Sequence, residues 1–220
     1  MPIFFPSLHR GKVSFYNEDK ETGKAIKPSP VIVVIGLIDD AKQVTTAGLK
    51  SEGDAIIIVG STDLDMGGSE YYRTLGIYNG GPPSIDLSLE KKTMKAVLEC
   101  IKKSYVSSCH DCSSGGLAVA LAEMCIIGDV GARISLEKVP AGRLRIDELL
   151  FSESNSRFII STDMPEKALK VLKKHHIASA KIGEVSAGPL EFSSKRTSFS
   201  CSRQDMRKAY NETIQRLMEG

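Results

Sequence analysis

Residues 107–125 read SSCHDCSSGGLAVALAEMC. The stretch packs Cys109, His110, Asp111 and Cys112 into consecutive positions, then Ser113, Ser114, Gly115 and Gly116. Side chains of these types serve three chemistries. Cys109 and Cys112 have the spacing of half a zinc knuckle, but a structural zinc needs four ligands. The sequence holds no second such pair, which leaves His9, His175, His176 and scattered thiols as candidates. A redox pair would set the CxxC at a helix N-terminus, where backbone N–H groups lower a thiol pKa; no thioredoxin-like pattern surrounds it. The third chemistry is anion binding. Asp111 can accept hydrogen bonds or hold a cation, and Ser113 or Ser114 can cap the following helix. Gly115 and Gly116 let the backbone approach a phosphate at that helix's N-terminus. Beside all three stands the plain alternative, a glycine turn flanked by small, partly buried thiols.

Two other turns repeat the pattern. LDMGGSEYY (64–72) places Gly67 and Gly68 before Ser69 and Glu70 at an expected helix start. FSESNSR (151–157) places Glu153, Ser154 and Asn155 just before an expected strand. Polar clusters at strand ends are common ligand positions, although each alone also reads as a solvated loop. Three in one chain strengthen the case for an anionic ligand, and spacing alone goes no further.

The elements that must position these turns alternate between strand and helix. KVSFY (12–16) alternates like a strand and is followed by a polar linker, NEDKETGKAIKPSP. VIVVIGLI (31–38) and AIIIVG (55–60) read as buried strands. NGGPPS (79–84) is a breaker. A helix follows, with Ser88 as its cap, Glu90 in its first turn, and Met94, Val97, Leu98, Ile101 and Tyr105 as its apolar face. The cysteine stretch supplies a short strand, the turn and a helix from about Leu117. Strands are expected at 132–136 and 158–162. Asp163 and Glu166 stand in capping-box spacing, with Pro165 in the first turn of the next helix. AKIGEV and PLEF read as closing strands. A last helix at 203–218 would bury Met206, Tyr210, Ile214 and Leu217 along one face. The pattern predicts an α+β fold, a layered α/β sandwich with a mixed sheet covered by helices. Residues 1–40 differ in kind: two strands, a long linker and no helix, which would leave sheet edges unpaired. They read as the end of another domain, with residues 41–220 forming a domain of their own.

Composition narrows the class. The 220 residues are 41% apolar and 25% charged, as in an ordinary globular protein, and contain no Trp. A net charge of +2, without a basic block, argues against nucleic-acid binding. The longest apolar run is far short of the roughly 20 residues of a membrane span, and no signal-peptide layout opens the sequence. Five irregularly spaced cysteines suggest reduced thiols in a cytoplasm.

Four stretches carry a specific resemblance: GKVSFYNEDKETGKAIKPSPVIVVIGLIDD, GDAIIIVGSTDLDMGGSEYYR, HDCSSGGLAVALAEM and LLFSESNSRFIIS. In this order they resemble phosphoribosylformylglycinamidine synthase, large (II) subunit, over nearly the whole chain. The resemblance implies the fold of the C-terminal domain of aminoimidazole ribonucleotide synthetase. It also implies a C-terminal segment, about the last quarter of that enzyme, which has two tandem halves. The family's chemistry is ATP-dependent amidation: the amide oxygen of formylglycinamide ribonucleotide is phosphorylated, and ammonia displaces the phosphate to leave the amidine. The segment is expected to be inactive alone.

The resemblance also implies roles. Gly11 would approach ATP and Ser14 would touch the substrate. Lys12 stands where the family often has an asparagine that helps hold Mg²⁺, and an ammonium has no lone pair for a cation. Glu153, Ser154 and Asn155 copy, in the second half, a substrate-binding turn of the first. With Asp111, Ser113, Gly115, Gly116, Gly67, Gly68, Ser69 and Glu70 they are expected to serve auxiliary nucleotide or phosphate binding, or to be structural turns. The family does not require Cys109 and Cys112, which favours a turn over metal or redox chemistry. Implied partners are the N-terminal remainder of the large subunit, a glutaminase subunit and a small third subunit. A homodimer paired through the strand edges of 12–38 and a non-catalytic docking or nucleotide-binding module are the alternatives.

Overall fold

The computed structural model describes residues 18–25, 33, 35–38 and 40–219. The chain divides into two units, Met1–Ala41 and Lys42–Gly220. In the first, strands β1 (Glu18–Asp19) and β2 (Lys24–Ala25) pair antiparallel. The turn between them is held by Asp19, whose carboxylate accepts from Glu21 N at 3.0 Å and Thr22 Oγ1 at 2.6 Å. The expected polar linker thus contains a small hairpin, because Asp and Gly supply turn geometry that a polarity pattern does not reveal. The expected strand 12–16 lies outside the described residues. Of the expected buried strand 31–38, Val33 and residues 35–38 are described. They lie outside any strand, and Val33, Ile35, Leu37 and Ile38 are exposed.

The second unit is built on a seven-stranded sheet. Its strands are β3 (Ala55–Val59), β4 (Ser108–Asp111), β5 (Gly131–Ser135), β6 (Phe158–Thr162), β7 (Ser179–Ser186), β8 (Leu190–Ser193) and β9 (Ser198–Cys201). They lie in the order β4-β6-β3-β7-β5-β8-β9. All neighbours are antiparallel except β5 and β8, so the sheet is mixed. Its helices are α1 (Glu70–Thr74), α2 (Leu87–Lys102), α3 (Gly116–Gly128), α4 (Ile146–Phe151), α5 (Pro165–Lys174) and α6 (Arg203–Glu219). This is the layered α/β sandwich that the pattern predicts.

The position of β3 explains its composition. Ile56 and Ile58 face a core with α3, α4 and Met206 of α6, while Ile57 and Val59 face a second core with α2 and α5. A strand covered on both faces loses the polar/apolar alternation and becomes a continuous apolar run. Helix α3 is apolar nearly all round for a similar reason: Leu117, Ala120, Leu121, Met124 and Cys125 are buried, and Ala118, Ala122 and Ile126 pack against the same core.

Three helices depart from the sequence expectation. Asp86, not Ser88, caps α2, accepting from Ser88 N at 2.8 Å and Leu89 N at 3.2 Å. The helix is turned so that Thr93, Ala96, Val97 and Cys100 are buried, while Met94 and Leu98 are exposed. Small side chains allow a helix to lie close to its neighbours, and here that outweighs burying the two largest residues. No side chain caps α5. Met164 holds the cap position before Pro165, and the expected Asp163 cap does not form. In α6 only Met206 of the expected apolar face is buried, and Tyr210, Ile214 and Leu217 are exposed. Strand β9, which pairs with β8, has no counterpart in the sequence expectation.

Candidate functional site

Two loops meet beyond one end of the sheet's centre. One leaves β3 and runs to α1; the other joins α4 to β6. Ser152 Oγ accepts from Asp65 N at 2.8 Å and donates to the Asp63 carbonyl. Ser154 Oγ accepts from Asp63 N at 3.0 Å, and Glu153 N donates to Asp65 O at 3.0 Å. The serines therefore complete the backbone hydrogen bonds of a partner loop that no ladder satisfies.

Arg157 fastens this junction from beneath. Its side chain is 1% exposed. It donates to Ser154 O and Thr62 Oγ1, each at 3.0 Å, and to Ser152 O. Burial pushes its pKa below the ordinary arginine value, opposed by the thiol of Cys112 and the carboxylates of Asp65, Asp63 and Glu153. The guanidinium geometry suits three acceptors at fixed angles, which a lysine could not match.

The third turn joins through Glu153. Its Oε1 accepts from Gly115 N at 2.8 Å and from Glu70 N at 2.9 Å. One carboxylate oxygen therefore binds the first N–H of α1 and the turn that opens α3. Gly116 must be glycine: its φ is +64°, and a Cβ there would lie 2.4 Å from Ser152 O. Gly67 is constrained by contact, since its Cβ would lie 2.1 Å from Gly81 O. Ser69 caps α1, accepting from Tyr72 N at 3.2 Å. Glu70 turns outward to Arg73 at 3.1 Å.

Next to this junction lies a cleft of about 460 Å³. Pro83, Ile85 and Phe158 give it an apolar wall, and Glu90, Asp111, Ser113, Ser114, Glu153 and Asn155 a polar one. Asp111, Ser113, Glu153 and Asn155 from the sequence analysis are thus brought together. Asn155 Nδ2 donates to Ser84 O at 2.8 Å. Gly115 and Gly116 stand behind this wall, while Gly67, Gly68, Ser69 and Glu70 are tied to it through Glu153 and are not among its lining residues. Ser154 turns away to Asp63. Neither Ser113 nor Ser114 caps α3; Gly115 holds the cap position in a left-handed conformation, with no side-chain bond. Gly11, Lys12 and Ser14 lie outside the described residues.

Sequence reasoning missed Ser152, Arg157, Glu90 and Ser156. Ser156 Oγ donates to Glu90 Oε2 across the cleft floor. Arg157 carried a usable signal, as a charged residue directly before a run that must be buried. Glu90 carried none, because its partner is 66 positions away.

The thiols of the opening stretch are poorly suited to redox work. Burial pushes Cys109 up to about 12 and Cys112 up to about 11. Both are free. A redox thiol needs the opposite shift, toward thiolate at neutral pH. Among the described residues there is no group of three His, Cys, Asp or Glu side chains placed to hold a metal ion.

The family model of the AIR synthase related protein, C-terminal domain, matches residues 51–194. The chain belongs to that family. It is 44% identical over 183 residues to phosphoribosylformylglycinamidine synthase subunit PurL of Thermococcus sibiricus, covering 83% of this chain and 25% of the relative. With PurL of Moorella thermoacetica it is 39% identical over 212 residues, covering 94% and 28%. The chain therefore spans about a quarter of the length of the curated relatives it matches. Thermotoga maritima PurL complexed with FGAR has the same fold, with a TM-score of 0.66 at 21% identity over 76% of this chain and 30% of that one. The hydrogenase maturation protein HypE has it more distantly, with a TM-score of 0.50 at 23% identity over 76% of this chain and 56% of that one. The expected resemblance and the fold of the AIR synthase C-terminal domain both hold.

Proposed function

We propose that this chain is a C-terminal segment of a PurL-type ligase, the ATP-dependent enzyme that converts formylglycinamide ribonucleotide to its amidine in purine biosynthesis. It acts there as a scaffold and does not turn over substrate alone. The observation that carries the scaffold reading is the junction at Glu153. Two N–H groups that this glycine turn could offer a phosphate are used within the protein: Gly115 N by Glu153 and Gly116 N by Ser113 O. The cleft's only cationic side chain among the described residues is Arg157, whose bonds are directed into the protein. Glu90, Asp111 and Glu153 give the cleft a negative lining. These residues do not fit a polyphosphate, so no step of the reaction is routed through them.

ATP and Mg²⁺ belong to the whole enzyme in this proposal. Similar Thermotoga PurL chains have been solved with ATP and with AMPPCP. Gly11 and Ser14 are the residues of this chain proposed to reach ATP and substrate. The partners are the N-terminal remainder of the large subunit and, by analogy with the Thermotoga PurLQS assembly, a glutaminase and a small third subunit. The setting is the cytoplasm.

Complementation tests the proposal. ATP hydrolysis dependent on formylglycinamide ribonucleotide and ammonia is measured for the chain alone, and for the chain mixed with the N-terminal three quarters of a PurL relative. Activity in the mixture only is the expected result. Turnover by the chain alone at roughly 1 s⁻¹, an ordinary enzyme rate, would overturn it. Co-elution with the remainder but no activity would favour a non-catalytic docking module.

A further inference from the structure

The carboxylate of Glu153 occupies the kind of position that a ligand anion takes at a glycine turn. Backbone N–H groups converging on one point, with a helix behind one of them, favour negative charge whatever carries it. Here the charge comes from the protein. Oε1 of Glu153 bridges Gly115 N at 2.8 Å and Glu70 N at 2.9 Å, donors 38 and 83 positions away in sequence. The side chain is delivered by a loop with little freedom to withdraw it. Ser152 and Ser154 bond the loop to residues 63 and 65. Arg157, 1% exposed, donates to two of its carbonyls, and Gly116 lies too close to Ser152 O for even a methyl group.

We propose that Glu153 is a built-in anion. Its carboxylate replaces a ligand phosphate on the N–H groups of Gly115 and Glu70, clasps the turns at 63–70, 113–116 and 152–157 into one unit, and withholds these two donors from phosphate. The clasp deepens the scaffold reading above and rests on it. Glu153 is a positioning residue: its carboxylate accepts from backbone N–H groups, and its charge is what they require. The cleft beside it keeps its carboxylates and hydroxyls, and the N–H groups of Gly115 and Glu70 are held by Glu153.

Anion rescue provides the test, with the whole chain. Thermal unfolding is followed for the wild type, Glu153→Gln and Glu153→Ala, in inorganic phosphate and in chloride at matched ionic strength. Glu153→Ala should unfold roughly 5 °C lower, and phosphate should restore part of that loss saturably. Glu153→Gln, which keeps an acceptor oxygen but not the charge, should lose less and gain little from phosphate. The wild type should gain nothing beyond chloride. An Ala variant that melts with the wild type, or one that phosphate does not rescue, overturns the clasp.

Should the Ala variant fail to fold, ¹⁵N amide spectra of the wild type decide. The Gly115 and Glu70 resonances should not move as phosphate is added, and saturable shifts at both would overturn the proposal. Neither readout needs a partner subunit. A failure here therefore leaves the ligase-segment reading standing, and a failed complementation leaves the clasp standing.

Discussion

At the residue scale, single side chains hold together segments that are distant in sequence. Arg157 is the clearest case, because it holds two carbonyls of its own loop, Ser152 O and Ser154 O, and the Thr62 hydroxyl of the loop that leaves β3. Arg157→Ala would leave buried carbonyls and Thr62 unsatisfied, a mechanism that costs about 3 kcal/mol or more. Urea unfolding should show that loss, and Arg157→Lys should recover only part of it. Gly116→Ala should be as harmful, since it adds both a left-handed φ and a collision with Ser152 O. The thiols give a chemical test. Cys100, Cys109, Cys112 and Cys125 are pushed up to about 11 or 12 by burial. Cys201 is exposed. At pH 8 a maleimide should label Cys201 rapidly in the native chain and the other four only after denaturation. Fast native labelling of Cys109 or Cys112 would reopen the redox alternative.

At the element scale, α2 and α5 are joined across the sheet face by Glu99. His175 Nε2 lies 2.6 Å from Glu99 Oε2, and Lys103 and Lys174 lie 2.7 and 3.2 Å from Oε1. Hydrogen bonds from His175, Lys103 and Lys174, in that order, hold the Glu99 carboxyl down at about 2, from an ordinary 4.5. A depressed carboxylate stabilises the fold when ionised. The contribution is therefore complete above about pH 4.5 and is lost as pH falls toward 2. Glu99→Gln should lower the melting temperature at pH 6 and converge with the wild type near pH 2; a difference that persists unchanged at low pH would contradict the assignment. The start of α2 was legible in the sequence only approximately. Capping residues crowd this loop, and its tertiary path decided that Asp86 rather than Ser88 takes the cap. Asp86→Ala should cost about 1 kcal/mol.

At the scale of the whole molecule, the sheet order could not be read from the chain. Beta4, β6 and β3 are neighbours though they come from distant parts of the sequence, and β5 lies between β7 and β8, with β8 running parallel to it. Such pairings are chosen by which faces can be covered together. The two cores on opposite faces of β3 meet that requirement. In the first unit, Val33, Ile35, Leu37 and Ile38 are exposed in a chain that spans about a quarter of its curated relatives. Ile35→Lys and Leu37→Lys should leave the thermal midpoint of the isolated chain within about 1 °C, as expected for surface positions. A larger drop would mean that these residues are covered in solution.

The sequence by itself determined the class of fold, the places of most strands and helices, and the three polar turns, because hydrophobic period and turn chemistry are local properties. It also determined the family, because the ordered motifs are specific over most of the chain. Only the tertiary structure decided what the turns do for one another. A carboxylate at position 153 has no local reason to meet N–H groups at 70 and 115, nor a buried arginine at 157 to meet Thr62. Those contacts exist because the folded sheet brings the ends of separate strands within hydrogen-bond distance.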